Sequence, residues 1–491
     1  MVRNIYIITI DCLRDASVTT KTAPFFRSLP IQFSNCWSNG TWTLPSHASL
    51  LSGTQPYEHG AIARGDEIPQ SAAKVPYTAK KHGFTTSLFS ENPEFSSDTG
   101  FGSAINYLNE DIHHKVIPST YSPSKDVENI GLNSAIDTLH KISKTDQQFR
   151  NFINFCFGGL IKLKDNNFDK VSYPHHGGRL VNHIDKYLTT TNSSQLLLAN
   201  ILEPHNPYYT PPAKAASQLS LSVPKKEQIA LKAANDTRDF LLVDSPDVPK
   251  KAAHEFESWS NIISRKSEIY ETHIWESDSL LRKFHDHHVT DEDLLIAVGD
   301  HGQLFGEEEM IGHQTSLHPN GIKVAFAVDP PKNWGNNKKE VLDPVSLSGI
   351  GSAMLGVITG TITSTDSFIN QVVSESQQER FVSSYVDGPT WVVSKLYEQP
   401  KYDSNLIDQF RVRRIGKISN EEMYVYESHW DNPRVDEKLY EISGNDRVFV
   451  SEQEGSTQHL SDAEETWISK EVGRKQQDPD VSSRLKALGY K

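Results

Sequence analysis

Three stretches of this chain, far apart in sequence, end in residues able to do chemistry. Asp11 closes the apolar run Ile5-Tyr6-Ile7-Ile8-Thr9-Ile10, Thr43 opens Thr43-Leu44-Pro45-Ser46-His47, and Asp300-His301 closes Leu294-Leu295-Ile296-Ala297-Val298-Gly299. Two carboxylates, an imidazole and a hydroxyl suit a divalent metal ion held beside a hydroxyl nucleophile, because coordination lowers the hydroxyl pKa and orients its oxygen. Pro45 suits the first turn of a helix, where its missing N–H costs nothing. Thr43 then stands just ahead of a helix N-terminus, where backbone amides and the dipole favour an anionic ester group. Taken alone, Thr43 would be an N-cap, Asp11 a turn carboxylate and His301 a partly buried imidazole. Their joint placement at strand ends argues for one crevice.

The elements that must position them can be read from the apolar pattern. Runs at Ile5–Ile10, Thr85–Phe89, Gln195–Ile201, Leu294–Val298 and Lys323–Val328 are continuously apolar, as in strands covered on both faces. Helical stretches, including Ser46–Leu51 and Ser264–His285, lie between them. Strand and helix in alternation predict an α/β fold with a doubly wound, mostly parallel sheet flanked by helices. Residues 105–190 read as a polar, helical insertion or lid within a domain spanning 1–400. Beyond Lys401, the short alternating segments Phe410–Ile415, Met423–Glu427 and Lys438–Ile442 predict a small antiparallel sheet in a second unit, 401–491. An amphipathic helix using Leu485 and Leu488 closes that unit.

Bulk properties narrow the class of function. The 491-residue chain carries 49 Lys+Arg against 63 Asp+Glu, a net charge of −14, which disfavours nucleic-acid binding. Its three cysteines, Cys12, Cys36 and Cys156, show no paired spacing, which argues against a disulfide framework and for a reducing compartment. No apolar run approaches the roughly 20 residues that span a bilayer, and no signal-peptide pattern opens the chain. The expectation is a soluble cytoplasmic protein without a membrane or nucleic-acid partner.

In their order along the chain, these motifs resemble the sulfatase branch of the alkaline phosphatase superfamily. Thr41–Gly53, reading TWTLPSHASLLSG, resembles the sulfatase nucleophile signature, and Glu203-Pro204-His205-Asn206-Pro207-Tyr208 looks like the family's Asp-Pro-His-x-Pro-Tyr element. Gly312-His313 with Gly321-Ile322-Lys323-Val324, the C-terminal segment Arg411–Ile442, and Arg484–Tyr490 extend the resemblance nearly end to end. It implies an alkaline phosphatase-like fold and a metal-dependent hydrolase of sulfate or phosphate esters, with an anionic ester, a small molecule or a sugar, as substrate.

The departures from the family pattern carry as much information. Standard sulfatases have Cys-x-Pro-x-Arg, whose Cys becomes formylglycine; here Thr43 and His47 stand in those places. A secondary hydroxyl cannot become an aldehyde, so no formylglycine is expected, and Thr43 itself is the expected nucleophile. A covalent Thr ester would need water to displace it, which shifts weight from sulfate toward phosphate esters. The resemblance implies one divalent ion, Ca²⁺, Mn²⁺ or Zn²⁺, on Asp11, Asp300, His301 and the Thr43 oxygen. Glu203, His205 and His313 supply a second ligand set only in part. Cys12, where the family pairs a second Asp with the first, reads as a small buried strand-end thiol more than as a ligand. His205 and His313 are candidates for protonating the leaving oxygen, and His47 for replacing the Arg as an ester contact. Asn92, Ser46 and His318 are candidate substrate contacts. Alternatives within reach of the same residues are a phosphodiesterase or phosphomonoesterase, a phosphoethanolamine or glycerophosphate transferase, and a catalytically silent anion-binding relative.

Overall fold

The computed structural model describes residues 2–63, 65–110, 138–144, 148–165, 177–237, 248, 250, 252–335, 338–377, 381–388 and 410–470. The β-branched and aromatic run Ile5–Ile10 forms strand β1, buried at every residue, in the middle of a nine-stranded sheet. On one side β1 pairs in parallel with β5 (Gln195–Ile201), followed outward by β3 (Thr85–Ser90) and β4 (Tyr107–Glu110). On the other it pairs in parallel with β6 (Leu294–Gly299), followed by β9 (Lys323–Asp329), β2 (Ile31–Trp37) and β10 (Lys339–Val341). The short β11 (Val345–Ser346) also pairs with β2.

The mostly parallel sheet contains one strand that runs against its neighbours. Lys323–Val328 is a covered strand, but β9 runs antiparallel to both β2 and β6. A continuous apolar run reports cover on both faces and carries no information on direction. Between β6 and β9 the chain makes a small antiparallel ribbon, β7 (Leu304–Phe305) with β8 (Ile311–Gly312), instead of the crossover helix that a parallel return requires.

Alternate residues of β1 serve two different layers. Ile5 and Ile7 pack in a cluster with Leu44, Ala48 and Leu51 of helix α1 (Thr43–Ser52). Tyr6, Ile8 and Ile10 pack with Val181 and Ile184 of α2 (Gly177–Leu188) and with Ile269, Ile274 and Leu281 of α3 (Trp259–His288). All ten residues of α1 are buried, including the polar Ser46, His47, Ser49 and Ser52. Gly53 ends α1 with a left-handed φ of 67° and donates its N–H to the Ser49 carbonyl at 2.9 Å. α4 (Leu347–Thr359) crosses α1 at Gly351, where a Cβ would meet the Leu50 carbonyl oxygen at 2.3 Å.

A second, five-stranded antiparallel sheet orders β12 (Val382–Asp387), β13 (Val412–Ile418), β14 (Glu422–His429), β15 (Asn432–Ser443) and β16 (Asp446–Glu454) in sequence. It docks on the segment after β2, where the Tyr385 N–H donates to the Asn39 carbonyl and Asn39 Nδ2 to the Ser383 carbonyl, each at 2.9 Å. Under it, Lys417 Nζ and Glu464 Oε1, from helix α5 (Asp462–Ile468), form a buried pair at 2.7 Å. Within 105–190 the described elements are β4, the helix Gln148–Asp165 and α2. The terminal helix expected at Leu485 and Leu488 lies outside the described residues, as do 111–137, 145–147 and 166–176. Among the described residues no helix is long and apolar enough to cross a membrane.

Candidate active site

Strands β1, β2, β3, β5 and β6 point the same way, so the residues that follow them meet at one sheet edge. Asp11 follows β1, Asp300 and His301 follow β6, Asn92 follows β3, His205 follows β5, and the turn after β2 delivers Thr43. The register places Ile10 beside Gly299, so the two aspartates emerge from neighbouring strands. Asp11, Asp300 and His301 are fully buried, and donor atoms of the three lie within 4.8 Å of one another.

Thr43 opens α1 and faces this cluster. Its Oγ1 lies 3.5 Å from Asp11 Oδ2, and Asn92 Nδ2 donates to both, at 3.0 Å and 2.6 Å. The Asn92 Oδ1 accepts the Glu94 N–H at 2.9 Å, which fixes the amide orientation. Asn92, expected as a substrate contact, here donates to the Thr43 hydroxyl itself.

The donor chemistry fits a cation. Asp300 Oδ1 accepts two backbone N–H groups, from Cys12 at 3.1 Å and His301 at 2.8 Å, whereas Oδ2 is buried and has no hydrogen-bond partner among the described residues. His301 Nδ1 faces the Gly302 carbonyl at 2.9 Å, so the proton sits on Nδ1 and Nε2 carries a lone pair. That Nε2 is also buried without a hydrogen-bond partner, 3.4 Å from Asp300 Oδ2 and 3.6 Å from Asp11 Oδ1. Two carboxylates and a lone pair converging out of reach of water repel one another unless positive charge sits among them. The titration directions report the same conflict. Burial, then the Asp11 charge, push Asp300 well above the usual carboxylate range. Burial would raise Asp11 too, but the imidazoles of His205 and His301 and the Asn92 amide outweigh it and hold Asp11 low. Burial holds His301 below its ordinary value, neutral and ready to coordinate.

His205 and His313 line the same space. The His313 ring lies 4.5 Å from the His301 ring, tilted by 41°, and 5.4 Å from the His205 ring, edge-on at 61°, and burial holds His313 well below an ordinary imidazole. Gln303 Oε1 lies 2.9 Å from His313 Nδ1. Cys12 brings its thiol to Asp11 Oδ1 at 3.2 Å.

Three candidates take other roles. The Ser46 hydroxyl turns back to the Trp42 carbonyl at 2.7 Å and to Ser38 Oγ at 2.8 Å, away from the cluster. His47 is fully buried: Nδ1 donates to the Thr43 carbonyl at 2.9 Å and Nε2 accepts from Thr9 Oγ1 at 2.9 Å. With both nitrogens used and the ring stacked on Phe95 at 4.0 Å, it braces the first turn of α1 against β1 instead of reaching for an ester. Burial holds it neutral, with a pKa of about 4. His318 caps the short helix Pro319–Ile322 and turns Nε2 to Asp446 at 3.1 Å. Sequence reasoning missed Tyr270 of α3, whose hydroxyl donates to the Cys12 carbonyl at 2.6 Å and accepts the Arg14 N–H at 3.2 Å. Nothing in a long amphipathic helix marks one tyrosine as the brace of a distant loop.

Comparison with known proteins places these observations. The sequence profile of the sulfatase family matches residues 4–360. No curated protein sequence matches the chain. Among solved structures, the phosphonate monoester hydrolase of Agrobacterium radiobacter superposes with a TM-score of 0.57 at 14% identity, over 99% of this chain and 94% of that one. A 2-O GAG sulfatase gives 0.51 at 12% identity, covering 99% and 91%. A structure in complex with D-glucosamine-2-N,6-O-disulfate gives 0.53 at 10%, covering 90% and 91%. At such identities these likenesses speak for the fold.

Proposed function

Because the chain belongs to the sulfatase family, we propose that it hydrolyses sulfate or phosphate esters in a metal-dependent reaction with Thr43 as nucleophile. The observation that carries the reading is the Thr43 hydroxyl, 3.5 Å from Asp11 Oδ2 and hydrogen-bonded by Asn92, beside two buried donor atoms with no hydrogen-bond partner. Asp11, Asp300, His301 and the Thr43 oxygen would hold a divalent ion, which when bound neutralises ester oxygens and eases ionisation of the hydroxyl.

The chain's own groups then have definite tasks. Thr43 Oγ1 attacks the sulfur or phosphorus while its proton moves toward Asp11 Oδ2, and Asn92 Nδ2 steadies the oxygen as its charge grows. The bond to the leaving oxygen breaks, and that oxygen takes a proton from a histidine. Half-buried His205, at the rim of the cluster, is placed for this. The Thr43 ester is then hydrolysed by water, with the same imidazole taking the water's proton. His47 works through Thr43 as a positioning residue, because it holds the carbonyl of that residue against β1.

Two observations weigh on the choice of ester. A threonine ester cannot eliminate through a second hydroxyl, which favours phosphoryl chemistry, and one structural neighbour is a phosphonate monoester hydrolase while others are sulfatases by name. A panel of aryl sulfate, phosphate monoester, phosphodiester and phosphonate substrates decides between them. Thr43→Ala is expected to lower turnover by several orders of magnitude, and Thr43→Ser to retain much of it. Intact-mass analysis during turnover of a slow substrate should find the group on the peptide carrying Thr43. A label on Ser46, or none on either residue, contradicts the covalent route.

A further inference from the structure

We propose that Asp185, His287 and His288 form a separate Zn²⁺ site that staples α2 to α3 at the pole of the main sheet opposite the catalytic crevice. Asp185 stands in the last turn of α2, and the two histidines end α3. The chain runs from α2 to the start of β5 at Gln195, and from α3 to the start of β6 at Leu294. His205, Asp300 and His301 follow the far ends of those same strands. A strand of seven residues sets the two places roughly 20 Å apart. The site therefore shares no ligand with the ester-binding cluster and stands independently of the function proposed above.

One donor atom from each of the three residues lies within 4.8 Å of the other two. Asp185 Oδ1 is 3.2 Å from His288 Nε2 and 3.7 Å from His287 Nδ1. Tetrahedral zinc with ordinary bond lengths keeps nitrogen and oxygen ligands about 3.3–3.5 Å apart. A small turn of the half-exposed His287 ring closes the set and leaves the fourth position to water. His288 is the deciding group. Its side chain is 10% exposed, and its Nε2 is buried with no hydrogen-bond partner among the described residues, although it faces the Asp185 carboxylate. Burial outweighs the Asp185 charge and keeps this imidazole below its ordinary pKa, neutral and able to coordinate. The surroundings also favour a cation. Two helices end here, and the carbonyl end of a helix carries partial negative charge, so an aspartate in the last turn of α2 is misplaced until positive charge joins it. Two imidazoles and one carboxylate suit a borderline ion, whereas Ca²⁺ and Mg²⁺ take oxygen ligands. Val181 and Ile184 of α2 already share an apolar cluster with Leu281 and Phe284 of α3, so the ion locks a contact that packing has made.

The test titrates Zn²⁺ into the full chain after chelation has removed its metal. At micromolar Zn²⁺ the wild type should take up one equivalent more than His287→Ala or Asp185→Asn, and both variants should keep wild-type turnover. Being half-exposed, the site should release its ion on gel filtration. In the wild type, Zn²⁺ but not Ca²⁺ should shield the peptide holding His287 and His288 from diethyl pyrocarbonate, a measurement that needs no variant. Equal uptake by wild type and variants, uptake of the extra equivalent only at millimolar Zn²⁺, or an unshielded peptide overturns the site. A single equivalent that is lost in His287→Ala and kept in Asp300→Ala would uphold this site while removing the ion proposed for the crevice.

Discussion

At the scale of single residues the proposed metal reading rests on acceptors that converge out of reach of water, and Asp300 is the place to test it. Its Oδ1 holds the backbone N–H groups of Cys12 and His301, while Oδ2 has no hydrogen-bond partner. Asp300→Asn keeps the volume and the first oxygen but removes the charge, so the loop should survive and the ion should not. Elemental analysis after gel filtration is expected to find near-stoichiometric metal in the wild type and almost none in Asp300→Asn or Asp300→Ala; metal retained by either variant would falsify the ligand assignment. The meeting of Asp11, Thr43, Asp300 and His301 at one sheet edge was legible in the sequence because each abuts an unbroken apolar run or a proline-started helix. Ser46 and His47 bond elsewhere in this structure for a local reason. Spacing puts them on the same face of α1 as Thr43, but each side chain hydrogen-bonds the carbonyl four residues earlier, a competition that residue type alone does not resolve. His318 was offered as a substrate contact and here caps a helix start, since a histidine can do either.

At the scale of elements, the position of Thr43, the proposed nucleophile, depends on how tightly α1 is wedged. Gly351 of α4 meets the backbone of α1 and its cap, with a Cβ position 2.3 Å from the Leu50 carbonyl oxygen and 2.9 Å from the Gly53 nitrogen. Backbone cannot rotate out of the way, so Gly351→Ala should push α1 aside, costing about 1–3 kcal/mol of stability. Since Thr43 rides on α1, turnover should fall by up to about 100-fold. Thermal unfolding and steady-state kinetics test both, and a variant with the wild-type melting temperature and rate would refute the wedge. The sequence revealed the five longest apolar strands of the main sheet but not β2, whose polar Gln32, Ser34 and Asn35 interrupt the pattern, nor β10 and β11, two or three residues each. In the second sheet, β16 escaped notice because it is largely exposed and carries no buried face to mark it.

At the scale of the molecule, buried titratable groups set the pH range of stability. His47 is held at about 4, and His59 and His273 each at about 3, with burial the largest cause in all three. An unfolded histidine titrates near about 6.5, so the unfolded chain takes up protons that the folded one refuses. This contribution is complete above about pH 6.5 and is lost as the pH falls toward about 3. Glu203 has the opposite sign: burial, then the Glu91 charge, raise it to about 8, so the fold keeps a proton the unfolded chain releases. That contribution is present below the unfolded value of 4.5 and erodes as the pH rises to about 8. Urea unfolding of metal-free protein should therefore show a maximum near about pH 6, and Glu203→Gln should flatten the alkaline limb only. A midpoint that climbs steadily from pH 8 to pH 4 would contradict the histidine assignment.

The central place of β1 also sets a schedule for synthesis. Ile5 must pair with Leu196 on one side and Leu294 on the other, and neither partner exists when the strand leaves the ribosome. At about 5–20 residues per second, the second partner strand follows after roughly 15–60 s. Throughout that interval six consecutive strand-forming residues, all destined for the interior, have no sheet to join. The segment that carries Asp11 thus stays without its sheet for most of translation, and a slow ribosome would lengthen its exposure.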